Sequence, residues 1–185
     1  MKNVIKLLIL SDIFLVTGFG FISPILAIFI KDNLVGGTIA SAGIASAIFM
    51  LVKSIGQIAV AKKFSPKDRI PLLLSGTFLI AFVPFIYAYS THIWQLYLAQ
   101  VLYGVGAALS VPAFMNVFIL NVSRKTPGLE WSIYSTLVGF GSAIAAFLGA
   151  QLANTLGFRP VFFLNGALAM IGAAILLKLN TEKIK

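Results

Sequence analysis

Residues 7–30 read LLILSDIFLVTGFGFISPILAIFI, an apolar run with a single charge, Asp12. A helix crossing a bilayer needs about 20 mostly apolar residues, so this run reads as a membrane span. Five more follow, at roughly 39–61, 70–90, 94–120, 130–154 and 160–179. Proline and glycine inside them are no objection, because membrane helices tolerate both. Lys2 and Lys6 precede the first run, as in a secretory leader. Its length, Asp12 and the spans behind it argue instead that it is retained. Ser65-Pro66-Lys67-Asp68 is expected to open the third span as N-cap, first-turn proline and acid. Thr126-Pro127 is expected to open the fifth, with Glu130 near its positive end.

Composition agrees. Of 185 residues, 59% are hydrophobic and 10% charged, against about 25% charged in an ordinary soluble domain, and the mean hydropathy is +1.01. A water-soluble fold would lack the polar groups to cover its surface. A soluble enzyme, a nucleic-acid binder and a disordered tail are all excluded. With no cysteine, thiolate metal sites and disulfides are impossible. The single histidine, His92, falls between spans, far from any base role for a serine nucleophile. No metal-ligand cluster and no phosphate-cradling glycine loop stands in the sequence. The reading is therefore not an enzyme, with no cofactor and no metal.

The net charge of +9 is distributed by side. The N-terminal tail, the segment with Lys62, Lys63, Lys67, Asp68 and Arg69, the segment with Arg124, Lys125 and Glu130, and the tail with Lys178, Glu182, Lys183 and Lys185 together carry +8. The other side holds Lys31, Asp32 and Arg159, net +1. By the positive-inside bias, both termini are expected in the cytoplasm of a multi-pass membrane protein.

An internal repeat is also legible. A shift of 88 residues places Asp12 on Gln100, Gly18 on Gly106 and Pro24 on Pro112. A shift of 98 places Gly43 on Gly141, Ala45 on Ala143, Ala47 on Ala145 and Lys53 on Gln151. A shift of 90 places Arg69 on Arg159 and Gly76 on Gly166. The chain reads as two three-helix units, about 4–90 and 92–180, forming one membrane domain. Three is odd, so the second unit is inverted across the membrane. The fold class is thus all-α and membrane-integral, with six helices in two inverted repeats.

Inverted three-plus-three repeats are a transporter architecture, and several stretches resemble one family, the major facilitator superfamily. Phe21-Ile22-Ser23-Pro24-Ile25-Leu26 resembles its first-helix segment, where proline breaks the helix. The basic residues between spans two and three stand where its loop motif belongs. Residues 98–108, LAQVLYGVGAA, resemble its fourth-helix motif, and Gly141 to Ala150 with Leu156-Gly157-Phe158-Arg159-Pro160 its fifth helix and the turn that follows. Three positions depart from the pattern. The loop aspartate is replaced by Val60 or Lys62, the fourth-helix arginine by Gln100, and the Gly-Pro step of the antiporter motif by Ala145-Ala146. The resemblance therefore implies the fold of one six-helix half, without the signature of proton-coupled drug antiport.

One half supplies one wall of a cavity. With both termini on one side, a second copy can stand parallel and supply the other, so a homodimer moving a small solute by alternating access is expected. Two alternatives are a six-helix solute-binding subunit of an ATP-driven importer and the isolated N-terminal half of a twelve-helix transporter. Small residues mark the expected dimer faces: Gly141, Ala145, Gly149 and Ala153 on span five, and Ala42, Gly43, Ser46 and Ala47 on span two. The expected partners are the lipid bilayer, a second copy and an unidentified small molecule, and no nucleic acid.

Ionisable residues inside spans are costly and mark function. Asp12 lies roughly 9 Å and Lys53 roughly 13 Å inside the cytoplasmic ends of their helices at 1.5 Å per residue, depths that permit a pair. Such a pair is either a permanent salt bridge or a coupling and substrate-binding element. Helical spacing puts Asp12, Val16, Phe19 and Ser23 on one face. Ser46, Met50, Lys53 and Gln57 share another, and Gln100, Tyr103, Ala107, Ser110 and Phe114 a third. The resemblance implies a cavity lined by helices one and four, which makes Asp12, Ser23, Gln100 and Tyr103 its lining candidates. Lys53, Gln57 and Gln151 complete the expected substrate or coupling set.

Overall fold

The computed structural model of the chain describes residues 2–179. Glu182, Lys183, Lys185 and the last residue of the second repeat lie outside the described residues. Seven α-helices form the described chain: α1 Asn3–Ile22, α2 Leu26–Asn33, α3 Ile39–Lys63, α4 Arg69–Tyr89, α5 Ile93–Asn121, α6 Pro127–Leu156 and α7 Phe158–Leu176. Six are long and apolar enough to cross a membrane: α1 and α3 to α7. The first run of the sequence is two helices rather than one. Proline has no N–H to continue the ladder, and at Ser23-Pro24-Ile25 the chain turns before restarting as α2. Pro84 and Pro112 are instead carried inside α4 and α5.

The connections follow from local chemistry. Ser65 caps a 3₁₀ turn, Pro66–Asp68, that leads into α4, and Asp68 completes the capping box. Thr126 stands at the N-cap of α6, but its side chain makes no capping bond. Glu130, one turn in, accepts the Ser123 N–H at 3.1 Å and ties the loop back. Between α6 and α7 a single residue turns the chain. Gly157 has φ +83° and ψ 176°, a region open essentially to glycine alone.

Packing follows a pattern. α1 packs on α6 and α7, α5 packs on α3 and α4, and α4 packs on α7. Exchanging α1 with α5, α3 with α6 and α4 with α7 returns the same major pairs. Two lesser contacts, α2 with α3 and α6 with α7, break the exchange. Close approach is achieved by missing side chains. A Cβ on Gly106 would fall 2.9 Å from the Gly76 carbonyl of α4, and one on Gly18 would fall 2.5 Å from Asn165 Oδ1 of α7.

Two apolar cores result, one at each end of the bundle. Ile5, Leu8, Leu73, Val117 and Leu176 build the end that holds the N-terminus, the near end. Ile22, Ile30, Val83, Tyr87, Leu96 and Phe162 build the far end. The space between them is where the polar groups converge. α3 and α6 stand outermost, and only 6% and 11% of their most apolar stretches is buried, against 44–50% for the other four. Their uncovered faces are apolar: Met50, Leu51 and Ile55 on α3, Phe140, Ile144 and Phe147 on α6.

Candidate functional site: a cavity divided by stacked rings

α1, α3 and α5 bring three aromatic rings together. Tyr103 of α5 lies between Phe19 of α1 and Phe49 of α3, with ring centroids 4.6 and 4.2 Å away and planes inclined by 12° and 27°. These are stacked arrangements, favourable beyond the area they bury. Val16 and the three rings line two cavities, one toward each end of the bundle.

The near cavity, about 240 Å³, is walled by Asp12, Lys53, Thr77, Ser110 and Tyr134 among apolar neighbours. Tyr134 Oη of α6 donates to Asp12 Oδ2 at 2.5 Å, a short, charge-assisted geometry when the carboxyl is ionised. Lys53 faces the same cavity, with its Nζ 5.8 Å from the centre of the Phe49 ring. Asp12 and Lys53 therefore share a cavity without forming an ion pair. Tyrosine holds the carboxylate instead, so the permanent Asp12–Lys53 salt bridge is absent.

The far cavity, about 480 Å³, is walled by Ser23, Ala42, Ser46, Tyr87, Gln100 and Ser142 with the aromatic stack at its floor. Gln100 and Tyr87 are 4% and 1% exposed. Among the described residues, no group pairs with the Tyr87 hydroxyl. A buried hydroxyl left unpaired costs free energy.

Of the residues expected from sequence, Asp12, Lys53 and Tyr103 converge on the near cavity, and Ser23, Gln100 and Tyr103 on the far one. Gln57 and Gln151 line neither. Tyr134 and Tyr87 escaped sequence reasoning. Tyr134 had a signal: it stands seven residues, two turns, before Gly141, on the same face of α6.

That face requires a correction. Gly141, Ala145 and Gly149 do not look outward. A Cβ at Gly141 would meet the Thr17 side chain, and one at Gly149 the Phe21 backbone. Ala145 is 1% exposed, against Gly20, and Ala153 packs on the far core. The stripe lets α6 approach α1 within the chain, which is the use small residues serve at any close helix crossing. On α3, Ala42 and Ser46 face the far cavity, while Gly43 has open space before it and Ala47 is exposed.

Six helices long and apolar enough to cross a membrane, with two cavities meeting at a stack of three rings, define a multi-pass membrane bundle. The chain belongs to the Major Facilitator Superfamily, whose sequence profile matches residues 8–185, a family of transporters rather than enzymes. Among curated relatives, the chain is similar to "Multidrug resistance protein MdtG" of Proteus mirabilis, 23% identical over 172 residues, covering 90% of this chain and 42% of that protein. "Multidrug resistance protein MdtG" of Dickeya zeae is 26% identical over 83% of this chain and 38% of its own length. "Multidrug resistance protein 2" of Bacillus subtilis is 28% identical over 93% of this chain and 42% of its own. The chain spans about two fifths of the length of these relatives.

Proposed function

We propose that the chain is one wall of a secondary transporter that moves a small amphipathic solute by alternating access. The observation that carries this is the pair of cavities on the same three helices, separated by the Phe19–Tyr103–Phe49 stack. In this cycle a solute passes from one side of the rings to the other as the helices rock and the stack parts. Both cavities mix apolar walls with hydroxyl, amide and aromatic groups, which suits an amphipathic solute, in keeping with relatives named for multidrug resistance. The triplets 4–90 and 92–180 act as inverted repeats, supported by the exchange of packing partners. The termini face the cytoplasm, supported by the basic excess at the near end.

The second wall is a parallel second copy, set against the uncovered faces of α3 and α6. On α3 the free small positions are Gly43 and Ala47. On α6 they are Gly139 and the exposed Ala143 and Ala150, on the side turned away from α1. The membership in the facilitator family favours this reading over a subunit of an ATP-driven importer.

Asp12 is the coupling group. It lies in the near cavity, held by one tyrosine, with no cationic partner among the described residues. If rocking carries Tyr134 on α6 away from α1, the carboxylate loses its donor in one state and regains it in the other, so proton uptake follows the cycle. The test is uptake of ethidium, an amphipathic fluorescent probe, by proteoliposomes with and without a pH gradient. Asp12→Asn is expected to abolish the gradient-driven part while the protein stays folded and dimeric. Full gradient-driven uptake in that variant refutes the coupling role, and loss of folded protein assigns Asp12 to structure.

A further inference from the structure

A third cavity, about 200 Å³, lies at the near end, between the last turn of α3, the first turns of α4 and the late part of α5. Its walls are apolar at Val60, Ala61 and Ala113, and its polar groups are Ser65, Arg69 and Asn116. Arg69 is half-buried; its Nε is buried there, and among the described residues no group accepts its proton. The acid next to it in sequence is already occupied: Asp68 Oδ2 accepts the Ser65 N–H at 2.9 Å. Lys62, Lys63 and Lys67 are exposed in the same segment. From Lys62 to Arg69 there are four cations and one acid, and that acid holds a backbone cap.

A guanidinium N–H buried without an acceptor is costly. An anion relieves that cost, and the planar fork of arginine fits phosphate oxygens best. The place of the cavity selects the source of the anion. It sits where apolar spans end and basic residues begin, so a ligand here meets hydrocarbon on one side and cations on the other. The opposite end offers an internal comparison. Arg159, on which Arg69 falls in the repeat, lines a cavity of about 690 Å³ with Asn33 and Gly157. The turn there holds no lysine between Leu156 and Pro160, and Arg159 Nε is not among the buried unpartnered atoms of the described residues.

We propose that the Arg69 cavity binds the phosphodiester of an anionic membrane lipid, with the guanidinium on the headgroup and an acyl chain along Val60 and Ala61. Basic pockets between spans at the cytoplasmic face recognise such headgroups, and a bound lipid here ties α3 to α4 and α5. The experiment is native mass spectrometry of the purified chain in mild detergent, with phosphatidylglycerol and phosphatidylcholine supplied in equal amounts. The wild-type protein is expected to retain phosphatidylglycerol preferentially. Arg69→Gln lowers that preference about five-fold, the worth of one near-surface cation, and Arg159→Gln leaves it unchanged. Ala61→Trp fills the wall while keeping every charge, and it also lowers retention; thermal melting identifies any variant that fails to fold. Unchanged preference in a folded Arg69→Gln, or an equal fall in Arg159→Gln, overturns the site. Displacement of the lipid by millimolar inorganic phosphate, with retention indifferent to Ala61→Trp, assigns the cavity to a free anion and overturns the lipid.

Discussion

Replacing Gly149 by alanine separates the two uses of small residues in this bundle. The new Cβ would stand 2.7 Å from Phe21 Cα and 2.9 Å from its carbonyl carbon, and closer still to the carbonyl oxygen. Backbone atoms cannot rotate aside, so α1 and α6 must part by a good fraction of an ångström along their crossing. Overpacking of this kind costs about 1–3 kcal/mol. In a chain of this size, 1 kcal/mol moves the melting midpoint by about 2–4 °C in soluble proteins, so a fall of roughly 2–12 °C is expected. Gly128→Ala, on the same helix and outside the faces assigned to a second copy, is the control, because a Cβ there meets nothing within 4 Å, and its midpoint should not fall below the wild type. The assay is thermal unfolding in one detergent, read by intrinsic fluorescence and by monodispersity after heating. A Gly149→Ala protein as stable as the wild type, or a Gly128→Ala protein as weak as Gly149→Ala, refutes the packing of α6 on α1.

Two further outcomes are expected. Tyr134→Phe removes the hydroxyl that reaches Asp12, so gradient-driven ethidium uptake should fall several-fold; because the tyrosine acts through the carboxylate, the double variant with Asp12→Asn should be no worse than Asp12→Asn alone, and additive losses contradict the pairing. Gly157→Ala adds no clash, since nothing lies within 4 Å, yet it forces alanine into glycine's region at about 1–3 kcal/mol, and melting should drop by several degrees with the native mass of the protein unchanged.

Much of the fold is legible in the sequence because a bilayer leaves few choices. Runs near 20 apolar residues must be helices, and all six span positions agree with the structure within a few residues, apart from the break at Ser23-Pro24-Ile25. The cavity faces are legible for a related reason: Asp12, Phe19 and Ser23, or Gln100, Tyr103 and Ser110, recur at helical spacing. What a face packs against is harder to read. The Gly141–Ala145–Gly149 stripe signals close approach, but close approach to α1 and to a second copy leave the same mark. Depth alone permitted Asp12 to meet Lys53, while the rotation of each helix about its axis brought Tyr134 to the carboxylate instead. Thr126 was a plausible cap by type, and only the path of the loop shows Glu130 tying to Ser123.

The proposal that a second copy completes the transport pathway is tested most directly by crosslinking. The chain has no cysteine, so introduced thiols report alone. Gly43 and Ala150 stand four and six residues from the far ends of α3 and α6, at similar depth, and both are exposed. The account predicts that Gly43→Cys with Ala150→Cys, oxidised in native membranes, gives a covalent dimer, while Gly141→Cys with Gly149→Cys, turned toward α1, gives none. A monomer under those conditions, or a dimer formed equally through Gly141 and Gly149, contradicts it.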